Sequence, residues 1–205
     1  MQSATSPYHH GSLRQALVTA ALAIVERDGA GALSLRRVAR EVGVSAMAPY
    51  HHFADRAALV SAVAAAGFGR LADDATVPAN DPGTGPAAGL VAGARAYVAF
   101  VLDNPELYRL MKNPELAARA EHPELASAAA RPAERMGLMI AELAATGRLG
   151  KTRPDDAAQI LWAFVHGLGL LALDGYIAGP DARATALRQA EAGAAALLMG
   201  WAVSG

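Results

Sequence analysis

The chain contains no cysteine, which excludes disulfide scaffolds, Cys-ligated zinc and thiol catalysis. Aromatic residues are scarce, at 5%, and neither sign of charge predominates, the formal net charge being −1. Long apolar runs are missing too. The longest, residues 160–173, is interrupted by His166 and falls short of the ~20 residues a membrane span needs. Residues 1–14 are polar and lack the apolar segment of a secretory signal. A cytoplasmic protein with no membrane partner is expected. His9-His10 and His51-His52 are adjacent pairs whose side chains diverge on a helix, and no HExxH spacing occurs, so neither a metal nor another cofactor is expected.

What is present points to helices. Hydrophobic residues make up 53% of the 205 positions, and Ala alone supplies a quarter. Ala is the strongest intrinsic helix former, and so apolar a composition is incompatible with a disordered chain. A chain of this length buries roughly 70% of its unfolded surface without a metal or disulfide staple. Charge is unevenly spread: residues 1–70 carry a balance of +3 and four His, and the remainder carries −4. That asymmetry hints at an anion-binding N-terminal module, nucleic acid being the commonest such partner.

Along the chain, residues 1–10 read as a flexible tail. Ser12 and Gln15 form a capping-box pattern ahead of an amphipathic helix over 13–27, which Gly29 stops. Ser34 caps a helix over 35–42, Gly43 turns the chain, Ser45 caps a third short helix to about Phe53, and Asp55 caps a fourth over 56–72. Residues 73–86 carry three Pro and no periodicity, a loop and the expected domain junction. Helices follow over 87–103, 105–111, 124–146, 154–176 and 181–201. Pro114, Pro123, Pro154 and Pro180 mark starts, and Pro132 kinks the 124–146 helix. No segment alternates with period two. The fold class is all-α, with a helix-turn-helix over 11–56 and a second helical domain over 57–205.

The segment Ser34–Phe53 carries the chemistry. Two short helices meet through Gly43, with Ala39 leaving room for a close crossing and Val38, Val42 and Val44 holding the pair onto the first helix. A second helix so placed can enter the major groove of DNA. From Leu33 to Val60 the sequence resembles the DNA-binding domain of the tetracycline-repressor (TetR) family of bacterial regulators. The likeness lies in SLRxVAxEVGVS, in Tyr50, His52 and Phe53, and in the Asp55-Arg56-x-x-Leu59 start of the next helix, and extends over about 9–70. It implies that Ser45, Ala46, Met47 and Ala48 face base edges, and that Ser34, Tyr50, His52 and Arg56 face the phosphates. Tyr50 and Phe53 could instead simply pack the domain. Pro49 sits where many members carry Leu or Val. Residues 45–49 hold no Arg, Asn or Gln to make bidentate base contacts, so Met47 and the two Ala would meet thymine methyls while Arg36, Arg37 or His51 supplies a hydrogen bond. Direct readout is therefore modest, with shape and phosphate contacts carrying much of the affinity.

The C-terminal half is similar to one subgroup of that family, through Ala96–Phe100, Asn104–Met111 and the Trp162…His166-Gly167 stretch. The resemblance implies a cavity for a small-molecule effector. Tyr97, Phe100, Tyr108, Met111, Met136, Met139, Trp162 and His166 are candidates for its wall, although residues of these types at helical spacing also make ordinary core. His166, amid apolar neighbours, needs a hydrogen-bond partner from protein, water or ligand. Phe164, Leu168 and Leu171 on one helix, with Leu187, Ala190, Ala194, Leu197 and Trp201 at 3-4 spacing on the last, form a seam that the resemblance assigns to a homodimer. Packing within a single chain is the alternative. The function implied is a homodimeric repressor on an inverted-repeat operator in double-stranded DNA, released when a ligand favours the DNA-incompetent state. The rival is an all-α binding protein or enzyme with an incidental helix-turn-helix. Residues 145–152 echo a phosphate-binding loop but follow a helix rather than a strand, which sets that reading aside.

Overall fold

The computed structural model describes residues 10–74, 85–113, 116 and 122–203. Most of the expected tail and most of the 73–86 loop lie outside the described residues. Eight α-helices occupy the described chain: α1 His10–Asp28, α2 Leu35–Val42, α3 Arg56–Asp74, α4 Pro86–Asp103, α5 Pro105–Met111, α6 Pro123–Ala145, α7 Pro154–Leu173 and α8 Ala182–Val203. Short 3-10 turns cover Ala30–Ala32 and Ala48–His51, and no strand occurs among the described residues. Four helices begin on a proline, the position where its missing N–H costs nothing. α1 starts at His10, ahead of Ser12. Pro114 lies outside the described residues, and Pro180 precedes α8 by two residues. α6 runs on through Pro132, whose ring removes one helical hydrogen bond.

The chain divides into two compact units: residues 1–67 with 106–126, and residues 68–105 with 127–205. This differs from a boundary at residue 56, because α3 is continuous across it and α5 joins the first unit. In that unit the apolar stripe of α1 (Leu17, Ala21, Ile24, Val25) is buried with Leu35, Val38 and Ala39 of α2 and with Phe53, Leu59 and Val63. Ser34 Oγ accepts from the Arg37 backbone N–H at 3.2 Å, capping α2. At its far end Gly43 takes φ +78°, where an L side chain would be strained, and its N–H bonds Ala39 O and Arg40 O. Arg14 pairs with Glu124 at 2.5 Å and lies over the Phe53 ring, 5.5 Å from its centroid.

In the second unit α4 packs against both α7 and α8, and those two pack on each other. Gly169 of α7 permits the approach to α4, since a Cβ there would stand 3.3 Å from Val101 Cγ2. α4 and α7 are each long and apolar enough to cross a membrane by length and composition alone. Here that apolarity goes into helix packing, and much of α7 remains uncovered. The face of α8 bearing Leu187, Ala190, Ala194, Leu198 and Trp201 is buried inside this unit, and Arg183 forks onto Asp103 with bonds of 2.7 and 2.9 Å.

Candidate nucleic-acid interface and ligand cleft

α2 and the segment after Gly43 form the candidate interface. An α-helix over Ser45–Phe53 would need the N–H of residue 49 to bond Ser45 O, and Pro49 has none. The backbone closes instead into tighter i to i+3 bonds: Ala48 N–H to Ser45 O at 3.0 Å, Tyr50 to Met47 at 3.1 Å and His52 to Pro49 at 3.0 Å. The expected third helix is thus a 3-10 turn over Ala48–His51, with Pro49 buried. This turn presents Ser45, Ala46, Met47 (64% exposed), Tyr50 and His51 to solvent, while Ala48 and His52 are half-buried. Phe53 is buried beneath it as a packing residue.

The cations of this unit separate into two sets. Arg37 is bound to Asp28 and reaches Ala32 O at 3.5 Å. Arg27 bonds Asp28 and then Glu41, which holds its guanidinium pKa above the usual value. Arg56, expected at a phosphate, donates through Nε to Leu33 O and through Nη2 to Ala30 O, both at 3.0 Å. It clamps the segment leading into α2 onto the start of α3. Arg36 and Arg40 differ. Both are exposed, one turn apart on the same side of α2, with no ion pair among the described residues. Arg40 was not singled out from the sequence, although its i, i+4 spacing from Arg36 was the available signal.

Within the second unit an apolar cleft with a cavity volume of about 60 Å3 is lined by Leu71, Leu90, Gly93, Ala94, Tyr97, Pro132, Arg135, Met136, Met139, Leu161, Trp162 and Val165. Tyr97, Met136, Met139 and Trp162 were expected there. His166 stands behind them, its Nδ1 2.9 Å from the Tyr97 hydroxyl and its ring stacked on Trp162 at 5.7 Å. The histidine's partner is therefore protein. Phe100 is buried away from the cleft, and Tyr108 and Met111 are core of the first unit, where Met111 closes on Gly67. All three were expected in the wall and belong to core, because apolar bulk at helical spacing serves either purpose. Arg135 was missed. On α6 the run Pro132, Arg135, Met136, Met139 follows one helical face, and that spacing was the signal.

The expected interface residues also divide. Leu187, Ala190, Ala194 and Trp201 are buried within one chain, so that stripe of α8 faces inward, chiefly against α4. Phe164, Leu168 and Leu197 are half-buried, with the Phe164 ring lying on Gly193. The exposed large apolar side chains of this unit are others: Leu138 on α6, Ile160 and Leu171 (50% exposed) on α7, Tyr176 after it, and Met199 (65%) and Val203 (83%) on α8.

A capped helix, a glycine turn and an exposed 3-10 turn define a helix-turn-helix DNA-binding protein with a separate helical domain. Comparison with known proteins places it more narrowly. Residues 17–63 match the signature described as bacterial regulatory proteins, tetR family, and residues 90–197 match the tetracyclin repressor-like C-terminal domain. A solved protein of unknown function from Rhodococcus sp. RHA1 is 33% identical, with TM-score 0.81 over 97% of this chain and 100% of that one. A bacterial regulatory protein in the tetR family from Rhodococcus RHA1 is 22% identical (TM-score 0.63, 94% and 97% covered). A TetR family transcription regulator from Marinobacter aquaeolei is 20% identical (TM-score 0.62, 89% and 95% covered). The latter two show shared fold. No curated protein sequence matches. The chain belongs to the TetR family of DNA-binding transcription regulators.

Proposed function

We propose that the protein is a homodimeric, cytoplasmic repressor that binds an inverted-repeat operator and leaves it when a small apolar or amphipathic ligand occupies the cleft. The observation that carries this reading is the exposed turn Ser45–His51, presented beside two uncommitted arginines. Ser45, Ala46, Met47 and Ala48 meet base edges, with Met47 and the Ala side chains against thymine methyls. Ser34, Arg36, Tyr50, His51 and His52 hold phosphates, joined by Arg40, and these contacts fix register rather than sequence. Arg56 acts as a positioning residue for α2 rather than as a principal phosphate ligand.

One reading turn per chain contacts too few bases for specificity, so two copies related by a two-fold axis must act together. The observation that supports the pairing is that α7 and α8, which pack on each other, leave Ile160, Leu171, Met199 and Val203 exposed and Phe164, Leu168 and Leu197 half-buried. Exposed apolar side chains on two neighbouring helices mark an interaction site. The ligand acts by population shift. It weakens DNA binding only as far as it prefers the state that does not fit two half-sites. α3 supplies both Arg56, which holds the reading unit together, and Leu71 of the cleft wall.

The test is selection of bound genomic fragments by the purified protein at about 150 mM salt, where non-specific binding is weak. One or a few inverted repeats, each bound by two chains, are expected. Recovery of nothing above background, with the protein shown folded, would overturn the reading in favour of a binding protein or enzyme carrying an incidental helix-turn-helix.

A further inference from the structure

From Ser45 to Pro49 the side chains are one hydroxyl, two methyl groups, one thioether and a proline ring. Met47 is 64% exposed, Ser45 and Ala46 are exposed, and Ala48 is half-buried. The carbonyls of Ser45 and Met47 accept the N–H groups of Ala48 and Tyr50 within the turn, at 3.0 and 3.1 Å. In the major groove thymine and cytosine differ at two places. Thymine has an acceptor, O4, where cytosine has the N4–H2 donor, and only thymine carries a methyl group on C5. Telling O4 from N4–H2 takes a side chain committed to donating or to accepting. The Ser45 hydroxyl rotates to do either, so it suits both bases. Ala46, Met47 and Ala48 respond only to the methyl group, through apolar contact. Arg36, Arg40, Tyr50 and His51 are assigned to phosphates, which are the same in every duplex.

We propose that the turn reads the C5 methyl group rather than the base that bears it, so that DNA binding responds to cytosine methylation. 5-Methylcytosine presents the same methyl group at the same place in the groove as thymine and is accepted in its stead; unmethylated cytosine is not. Methylation of a contacted cytosine therefore strengthens binding, and converts a weak half-site into a strong one without any change of sequence. This rests on the reading of Ser45–His51 as the segment that enters the major groove, and adds to it the chemical mark that regulates it. A turn carrying Asn, Gln, Arg or Glu at these positions would sense the 4-position as well and would separate thymine from 5-methylcytosine.

The experiment uses the full-length protein and an inverted repeat recovered by genomic selection, at fixed salt. Thymines whose replacement by deoxyuracil weakens binding mark the contacted positions. At one such position in each half-site the T·A pair is replaced by C·G or by 5-methylcytosine·G, and the duplexes are titrated in parallel. The expected result is that the 5-methylcytosine duplex binds within about threefold of the thymine duplex and about ten- to twentyfold more tightly than the cytosine duplex, two methyl contacts being restored. In the double variant Ala46→Ser with Met47→Ser, shown folded by circular dichroism, the gap between cytosine and 5-methylcytosine falls below about threefold. Equal binding of the cytosine and 5-methylcytosine duplexes by wild type would overturn the proposal. So would a gap that persists in the double variant, which would place the effect in DNA shape, or a repeat in which no thymine responds to deoxyuracil. These outcomes leave a DNA-binding protein that is blind to methyl groups. Recovery of no repeat at all is the separate failure, which overturns the DNA-binding reading itself and this proposal with it.

Discussion

Replacing Arg56 with Ala separates two roles for a single side chain, because the structure and the family resemblance assign it differently. Its Nε and Nη2 groups reach Leu33 O and Ala30 O at 3.0 Å each, the first bond part-buried and the second exposed. Hydrogen bonds involving a charged partner contribute about 1.5–3 kcal/mol when protected from water. Discounting the exposed one for screening leaves about 2 kcal/mol for the pair. In a protein of roughly 200 residues each kcal/mol moves the melting midpoint by about 2–4 °C. Arg56→Ala should therefore lower the midpoint by about 4–8 °C in a calorimetric scan, and Arg56→Lys, which cannot fork onto both carbonyls, by nearly as much. The slope of log K against log salt for DNA binding should stay within about 0.3 of wild type, since a phosphate contact contributes about 0.9. An unchanged midpoint together with a slope shallower by about 0.9 per chain would refute the argument and make Arg56 a phosphate ligand.

Four further outcomes are expected. Ser34→Ala removes the cap of α2 and should cost about 1 kcal/mol, whereas Ser34→Asp should keep the cap yet weaken DNA binding by adding a negative charge near phosphate; melting and titration together distinguish them. Ala194→Leu overpacks the buried face of α8 and should destabilise the fold by about 1–3 kcal/mol. The double change Leu171→Glu with Met199→Glu should leave the midpoint within about 1 °C of a wild-type monomer while sedimentation shifts from dimer to monomer, because both side chains are already in water. Replacing thymine by deoxyuracil in a bound operator should weaken binding about three- to fivefold per contacted methyl, in line with about 0.8 kcal/mol per buried methyl-sized group; equal affinity for both duplexes would take thymine methyls out of the readout.

Local chemistry made the N-terminal fold legible. Ser34 and Gly43 are cap and turn residues whose role depends only on near neighbours, and both sit where the sequence puts them. Pro49 is local as well, but its effect was underestimated. A helix start tolerates proline, whereas the absence of one N–H early in a short segment converted the whole turn to 3-10 geometry. The α8 seam shows a different limit. The 3-4 spacing of Leu187, Ala190 and Ala194 identifies a packing face but not its partner, because helix packing within a chain and between chains uses the same side chains. The cleft lies between these cases. Tyr97, Met136, Met139 and Trp162 were visible as apolar bulk, and so were Phe100, Tyr108 and Met111, which became core. Arg135 was passed over because an isolated arginine on a helix reads as a solvated surface residue; only the packing around it shows otherwise. Arg56 was legible as a cation, but its partners lie more than twenty residues away in sequence.

The most direct test of the account compares wild type with Met47→Asp on one duplex carrying a selected inverted repeat, at fixed salt and against an unrelated duplex of equal length. Met47 is the most exposed apolar side chain of the Ser45–His51 segment, and the substitution leaves the buried Pro49 and Phe53 untouched. The account predicts a loss of about 100-fold in binding to the repeat, since a carboxylate meets base edges in both half-sites, with little change on the unrelated duplex and an unchanged melting midpoint. Equal preference for the repeat in the variant would contradict the claim that this turn reads DNA.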